Sequence, residues 1–303
     1  PNTKANYWLM CLQLENKEDR DIFLLETNKN KIMTRPIWQL IFKSPIYSSF
    51  QRDSQENAIF LEERIVNNFD LYQNRKSVTK LYFYGAGCGT EPPRLMIKGV
   101  FLNIFKTAEV LVKEDTFAAI YATADINKKS IVCILGTGSN CSYFDGVNVI
   151  QKITSLGYIL MDDASGNYYG RQLLRDYYFN RIPENIAQKF KENFELDAET
   201  IKNNLYKKPN PNTYLAKFAR FLIENKDTDY AQELIKRGMD IFITRQILQF
   251  TNAKEIPIHF TGSIAHYLKE ELVECLNNHG LKAGNIIRRP IDGLLKYHIG
   301  LLG

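Results

Sequence analysis

The sequence predicts an α/β fold with a parallel sheet, and two patterns carry this prediction. Short apolar runs rich in β-branched and aromatic residues alternate along the chain with longer segments of helical periodicity. The connections between successive runs are long enough for helical crossovers, which strands require if they pair in parallel. The chain has 303 residues, which is enough for two domains of ordinary size.

The composition indicates a globular protein, with 45% apolar and 24% charged residues. The net charge of +5 comes from scattered lysines and arginines, so it suits an anionic small molecule as well as a nucleic acid. The five cysteines show no CxxC spacing, which argues against a disulfide framework and favours a reducing cytoplasm. No run reaches the roughly 20 apolar residues of a membrane helix. We therefore expect a cytoplasmic protein with neither a nucleic-acid nor a membrane partner.

The first half of the chain predicts strand–helix–strand units, with a domain boundary near residue 115. The prolines at positions 92 and 93 fit the start of a helix, and Asp115 or Thr116 fits the cap of the next one. Residues 30–53 match no element. The predicted strands are 7–14, 21–26, 81–84 and 109–112, and the predicted helices are 58–69, 92–106 and 117–124.

The second half begins with a buried-looking strand over 131–135 and then becomes mostly helical. Residues 141–150 are typical of its hairpin partner, with Asp145 and Gly146 at a tight turn. A second strand–turn–helix unit starts at residue 256, and several helices show one apolar face that predicts core packing. The other predicted strands are 256–260 and 285–288, and the predicted helices are 166–180, 184–193, 198–206, 214–225, 228–250, 264–278 and 290–298.

The most informative segment is the glycine-hydroxyl turn 136–140, which directly follows strand 131–135. Its sequence is Gly-Thr-Gly-Ser-Asn, and the glycines allow backbone N–H groups to approach an anion closely. Oriented N–H groups in such a turn can hold a phosphate. The alternative is an ordinary hairpin turn, and the segment alone does not decide between the two.

A second glycine turn, Thr261-Gly262-Ser263, ends the strand 256–260 and precedes a helix. The start of a helix offers N–H groups to an anion or a nucleotide. Ligands of open α/β sheets collect at the carboxyl ends of the strands, which is where both glycine turns should lie. The alternative is a routine strand–helix turn in which Ser263 is the cap.

Two carboxylate positions are candidates for chemistry. Asp115 follows a strand, so its carboxylate could accept a proton from a sugar hydroxyl that attacks a phosphoryl group. A helix cap is the simpler interpretation of this residue alone. Asp162 or Asp163 could hydrogen-bond substrate hydroxyls or hold magnesium through water; alternatively, Asp163 or Ser165 caps the helix that follows.

Together these segments resemble the N-acetylglucosamine kinase-like proteins of the BadF/BadG-type ATPase family, within the superfamily of sugar kinases, Hsp70 and actin. The resemblance covers the chain from about residue 80 to the end, and the order and spacing of its motifs make it specific. The matching segments are 81–88, 114–115, 134–141, 155–160 with Asp162, 207–212, 259–265 and 290–298.

The resemblance implies two ribonuclease-H-like (actin-like ATPase) domains around an interdomain cleft. These would be residues 1–114 and 115–303, the second enlarged by helices, with the last helix free to pack back on the first domain. It further implies an ATP-dependent kinase that uses Mg²⁺ and phosphorylates N-acetylglucosamine or a related amino sugar. The oligomeric state stays open between a monomer and a homodimer.

The resemblance also assigns site residues. Asp115 would be the catalytic base. No metal ligand is assigned. The ATP-binding residues would be Thr3, Lys4, Gly136, Thr137, Gly138, Ser139, Gly262, Ser263 and Ala265, and the sugar-binding residues would be Asn140, Ser155, Gly157 and Asp162.

The sequence departs from the family pattern at two places. Family members open with a phosphate loop that contains an aspartate, and only residues 2–4 echo the end of that loop here; because the chain begins with Pro1, we expect residues upstream. The family's Asp-Glu-Gly-Ser run is replaced by residues 162–165, Asp-Asp-Ala-Ser. One alternative is therefore a catalytically impaired relative that binds nucleotide or sugar. Another is an ATPase activator with a cysteine-ligated iron–sulfur cluster, which the cysteine spacing disfavours.

Overall fold

The computed structural model describes Tyr72, residues 74–85 and residues 87–301. The chain divides into two compact units, Pro1–Asp115 and Thr116–Gly303. The predicted strands at 7–14 and 21–26 and the predicted helix at 58–69 lie outside the described residues.

The described part of the first unit is a strand–helix–strand motif. Strand β1 (Lys80–Gly85) pairs in parallel with β2 (Glu109–Glu114), and α1 (Glu91–Ile104) connects them with proline in its first turn. Apolar side chains from α1 and β2 bury against each other, including Phe101 and Val110. The predicted parallel unit is therefore confirmed.

The second unit contains a five-stranded sheet with the strand order β5-β4-β3-β6-β7. Strands β3 and β4 are antiparallel, as are β4 and β5, whereas β3, β6 and β7 run parallel to one another. This order, in which only β4 of the five strands is reversed, is the ribonuclease-H-like topology, and it confirms the predicted fold class. The strands are β3 (Ser130–Leu135), β4 (Ser139–Phe144), β5 (Val149–Ile150), β6 (Pro257–Thr261) and β7 (Lys282–Ile287).

Helices cover both faces of this sheet. Cys133 and Leu135 lie in the large core with the helices after residue 165, whereas Val132 packs with Ala119 and Ile120 on the opposite face, as the period of two in a strand requires. The helices are α2 (Asp115–Thr123), α3 (Gly166–Tyr178), α4 (Glu184–Asn193), α5 (Ala198–Tyr206), α6 (Pro211–Ala216), α7 (Ala219–Glu224), α8 (Asp229–Arg245), α9 (Ser263–Tyr267), α10 (Lys269–Asn278) and α11 (Ile291–Gly300).

Three predicted helices differ from the observed ones. The segment 214–225 forms the separate helices α6 and α7, and the segment 228–250 ends its α-helix at Arg245 before a short 3₁₀ turn. The segment 264–278 is interrupted at Leu268, whose backbone leaves the helical region (φ −109°, ψ 34°) while its side chain is completely buried. Among the described residues, no helix has both the length and the apolar character needed to cross a bilayer.

Candidate functional site

The two glycine turns lie side by side at the carboxyl ends of neighbouring strands. Strands β3 and β6 pair in parallel from Ile131↔Ile258 to Ile134↔Thr261, so the turns that follow them meet at one edge of the sheet. Gly262 has φ +122° and ψ 164°, a conformation essentially limited to glycine. A Cβ at this position would overlap the Leu135 carbonyl oxygen and lie 3.0 Å from the Gly136 nitrogen. Only glycine therefore allows the two turns to approach this closely.

The hydrogen bonds of the first turn engage its carbonyl oxygens and leave two N–H groups open. The N-terminus of α3 binds the turn, because the N–H groups of Gly166 and Asn167 donate to the carbonyl oxygens of Gly136 (2.7 Å) and Thr137 (3.0 Å). The Gly136 N–H donates to the Gly138 carbonyl oxygen within the turn (2.9 Å). Within the described residues, the N–H groups of Thr137 and Gly138 have no hydrogen-bond acceptor. The turn thus keeps the backbone donors that a bound anion requires.

Asn167 ties the turn to the Asp162 carboxylate, and sequence reasoning missed this residue. Its completely buried side chain donates from Nδ2 to the Thr137 carbonyl oxygen (2.7 Å) and to Asp162 Oδ2 (2.9 Å). The carboxylate lies against Gly138, where a Cβ would be 2.7 Å from Asp162 Oδ2. The contact spans a loop and a helix start, so no local pattern in the sequence could have indicated it.

The segment that carries Asp162 has an unusual backbone. Asp162 and Ala164 both adopt left-handed conformations, with φ of 65° and 57°, which cost a non-glycine residue about 1–2 kcal/mol each. Asp163 points to a different partner, since its Oδ2 lies 3.6 Å from Arg245 Nη1. Ser165 caps α3 by accepting a hydrogen bond from the Tyr168 N–H. Of the two open interpretations of the cap, the structure therefore selects Ser165.

The other residues that the resemblance assigns to the sugar lie in separate surroundings. The Asn140 side-chain oxygen accepts hydrogen bonds from Ser142 (3.0 Å), two residues further along β4, and from Gln151 (3.4 Å), directly after β5. Ser155 and Gly157 belong to the exposed loop before Asp162, and Gly157 has φ +81°. No described hydrogen bond joins any of these three residues to Asp162.

The second turn leads into a short helix whose first residues differ in exposure. Ser263 is exposed and begins α9, but that helix has only five residues, so the dipole of a long helix is absent there. Ala265 is completely buried in the core, and its side chain therefore packs against protein. Gly262 donates its N–H to the Ile287 carbonyl oxygen (3.1 Å). In this turn, the glycine backbone and the Ser263 hydroxyl are the groups positioned at the sheet edge.

Asp115 lies where the sequence predicts, directly after β2 and as the first residue of α2. Among the described residues, Glu114 and Cys88 are ionisable neighbours of its partly buried side chain. Burial and the charge of Asp115 raise the pKa of the Glu114 carboxyl group, against the opposing effect of Arg94. Burial, Asp115 and Glu114 likewise raise the pKa of the Cys88 thiol. The end of β2 is therefore a local concentration of negative charge.

Thr3 and Lys4, which the resemblance assigns to ATP, lie outside the described residues. Within residues 74–85 and 87–301, no three His, Cys, Asp or Glu side chains are grouped to hold a metal ion. Cys133 and Cys141, directly opposite each other on β3 and β4, bring their sulfur atoms to 3.5 Å. Two thiols alone do not form the four-cysteine ligand set typical of an iron–sulfur cluster.

The sheet topology defines the second unit as a domain of the ribonuclease-H-like fold class. The structure is similar to that of the putative N-acetylglucosamine kinase from Porphyromonas gingivalis, with 30% sequence identity and a TM-score of 0.77 over 84% of this chain and 88% of the other. The chain therefore belongs to the family of that protein. No protein-family model and no curated protein sequence matches it.

More distant similarities extend to other proteins of this class. The putative N-acetylglucosamine kinase from Chromobacterium violaceum is 15% identical, with a TM-score of 0.48 over 65% of this chain and 70% of the other. A ROK family glucokinase from Streptomyces griseus, solved with glucose and AMPPNP, is 12% identical, with a TM-score of 0.42 over 65% and 67%.

Proposed function

We propose that this protein is an ATP-dependent sugar kinase whose substrate is N-acetylglucosamine or a related amino sugar. The observation that carries the proposal is the turn after β3, whose Thr137 and Gly138 N–H groups have no acceptor among the described residues. Backbone donors of this kind stabilise the charge of a transferring phosphoryl group. The similarity to the Porphyromonas gingivalis protein supports the sugar as the acceptor.

Asp115 is the proposed catalytic base. A sugar hydroxyl becomes a better nucleophile when a carboxylate accepts its proton, and such a base contributes about 10²–10⁴-fold to a rate. The position of Asp115 at the carboxyl end of β2 matches the place where α/β proteins put their reacting side chains. Mg²⁺, which the resemblance implies, would supply charge neutralisation at the phosphates of ATP.

The test is a coupled assay of ADP release with N-acetylglucosamine and Mg-ATP, together with mass spectrometry of the sugar. We expect sugar phosphate to appear in proportion to ADP. Glucose, galactose and N-acetylgalactosamine serve as competing acceptors that define the specificity. Measurable nucleotide binding without phosphate transfer to any of these sugars would refute the kinase proposal.

The variant Asp115→Asn separates catalysis from folding. We expect turnover to fall by at least about 10², whereas the melting temperature should change little because asparagine keeps the shape of the side chain. Glu114→Gln is the matched control, since it neutralises the adjacent carboxyl group, and we expect it to remain active. Asparagine also caps a helix well, so a capping role would instead appear as a large loss of stability in Asp115→Ala that Asp115→Asn does not show.

A further inference from the structure

A basic pocket lies at the outer edge of the sheet in the second unit. Its volume is about 530 Å³, within the range of about 300–1,000 Å³ that small-molecule sites occupy. Strand β7, the edge strand of the described sheet, forms its floor, and residues of α2, α10 and α11 complete the wall. All of these elements belong to the second unit, so the pocket is formed within one compact body.

The described side chains that line the pocket include four cations and no carboxylate. These cations are Lys269, Arg288, Arg289 and Lys296. The two lysines form no ion pair within the part of the chain that the structure describes. Cations gathered around one cavity repel each other, and an anion bound between them relieves this repulsion.

The carboxylates that follow Lys269 in α10 face a different cation. Glu270 and Glu271 each place a carboxylate oxygen 3.3 Å from Lys226 Nζ. These ion pairs engage the two acidic side chains nearest in sequence to Lys269. The positive charge of the pocket therefore follows from the folded arrangement and not from the composition alone.

The walls of the pocket are held in place by contacts within the protein. The Arg288 guanidinium lies over the Tyr267 ring, 5.0 Å from its centroid, which restrains this cation. Asn285 donates from Nδ2 to the Thr123 carbonyl oxygen (2.7 Å) and so ties β7 to the end of α2. Gly293 brings α11 against α2, because a Cβ there would overlap a carbonyl oxygen of α2. The pocket is thus formed before any ligand binds.

The pocket is separate from the turn to which the phosphates of ATP are assigned. None of the residues 136–140 lines it. The turn after β6 begins beside the end of β7, because Thr261 pairs with Ile287. The floor at Gly284 precedes Ile287 by about 10 Å along the strand, at about 3.3 Å per residue. The second unit therefore contains two places suited to anions.

We propose that this basic pocket binds a phosphorylated small molecule, separately from the nucleotide of the proposed kinase reaction. Arginine guanidinium groups bind phosphate oxygens through paired hydrogen bonds, and lysines add compact positive charge. An isolated phosphate would fill only a small part of the cavity, so the ligand carries a second phosphate or an organic group. A diphosphate and a sugar phosphate share this chemistry. The proposal does not rest on the kinase activity.

Isothermal titration calorimetry at low ionic strength, without divalent metal, tests the pocket with inorganic phosphate, pyrophosphate and glucose 6-phosphate. The variant is Lys269→Gln/Lys296→Gln, which removes two exposed cations of the lining. The matched control is Lys189→Gln/Lys202→Gln, which removes the same charge from exposed positions on α4 and α5. Melting temperatures verify that both proteins are folded, and amide hydrogen exchange locates the bound probe.

We expect pyrophosphate or glucose 6-phosphate to bind the unmodified protein and the control equally well, and more tightly than inorganic phosphate. The pocket variant should bind the same probe about tenfold more weakly, because two of the four cations are gone. Amide exchange at residues 284–293 should slow when the probe binds, and this protection should be lost in the pocket variant. The probe with the higher affinity distinguishes a diphosphate ligand from a sugar phosphate.

Equal weakening in both double variants would overturn the proposal, since it would show attraction to the overall charge of the protein. Unchanged affinity in the pocket variant, with protection confined to residues 136–140, would also overturn it and would instead support the turn after β3 as the phosphate site. Failure of the unmodified protein to bind any of the three probes would refute the pocket as well. None of these outcomes involves sugar phosphorylation, so the kinase proposal is decided by its own assay.

Discussion

Replacing Gly262 with alanine should strongly destabilise the second unit. The conformation at Gly262 (φ +122°, ψ 164°) costs other residues about 1–3 kcal/mol. The new Cβ would overlap the Leu135 carbonyl oxygen and lie 2.6 Å from its carbonyl carbon, and relieving such overpacking costs about 1–3 kcal/mol more. The sum is about 2–6 kcal/mol, which corresponds to a melting temperature lowered by roughly 5–20 °C in a unit of this size.

Two other glycines provide matched controls that separate the backbone strain from the steric overlap in this loss of stability. Gly280 also has a positive φ (+68°), but nothing lies within 4 Å of a Cβ there, so Gly280→Ala should lose only about 1–2 kcal/mol. Gly136 has equally open space and no positive φ, so Gly136→Ala should be close to neutral. Urea denaturation followed by circular dichroism gives the three unfolding free energies.

The contact between the turns also predicts a local effect. In Gly262→Ala the displaced Leu135 carbonyl should loosen the turn that follows it, and amide exchange at residues 136–139 should accelerate below the denaturation midpoint. Equal destabilisation by Gly262→Ala and Gly280→Ala would refute the reasoning. That result would mean that the contact between the new Cβ and Leu135 does not lower the free energy of unfolding.

Two further predictions concern the packing of the core and the protonation of a buried histidine. Phe190→Ala should cost about 3–5 kcal/mol, because this ring is completely buried against Phe194, Phe218 and Phe221; Phe179→Ala, at a ring that is 65% exposed, should cost far less in the same denaturation series. Burial lowers the pKa of His259 below its usual 6.5. As the pH falls, the unfolded chain therefore takes up a proton at this histidine before the folded chain does. The free energy of unfolding should then decrease progressively below about pH 6.5. His259→Gln should flatten that part of the stability–pH curve, and identical curves for the two proteins would contradict the assignment.

The sequence predicted the sheet because its signals are local. Strands β3 and β6 are mainly apolar runs closed by a turn signal, and the crossover lengths set which strands run parallel. The turn at Gly136 and the turn at Gly262 were placed correctly at strand ends for the same reason. The interruption at Leu268 was missed because the helical pattern continues through this residue, whose side chain is completely buried in the core.

The candidate site was predicted less completely, because its decisive contacts are tertiary. Asp162 was found as a carboxylate near small residues, yet its contact with Gly138 arises in a segment where Asp162 and Ala164 are both left-handed, which the sequence pattern alone does not indicate. Nothing in the sequence pattern indicated that Asn167 contributes to the site. Its side chain is two residues past a cap, where asparagine is unremarkable, and it matters only because the loop before it folds back onto the turn.

The backbone geometry explains why the turn can keep its N–H groups open. In a tight turn, carbonyl oxygens and N–H groups point in different directions, and both must find partners or water. The first N–H groups of a helix have no acceptor within the helix, and those of Gly166 and Asn167 take the turn's carbonyl oxygens. The two sets of unpaired backbone groups thus satisfy each other, and the N–H groups of Thr137 and Gly138 remain for a ligand. Asn167 at the start of α3 also binds the Asp162 carboxylate, so the carboxylate, the helix start and the turn form one hydrogen-bonded network.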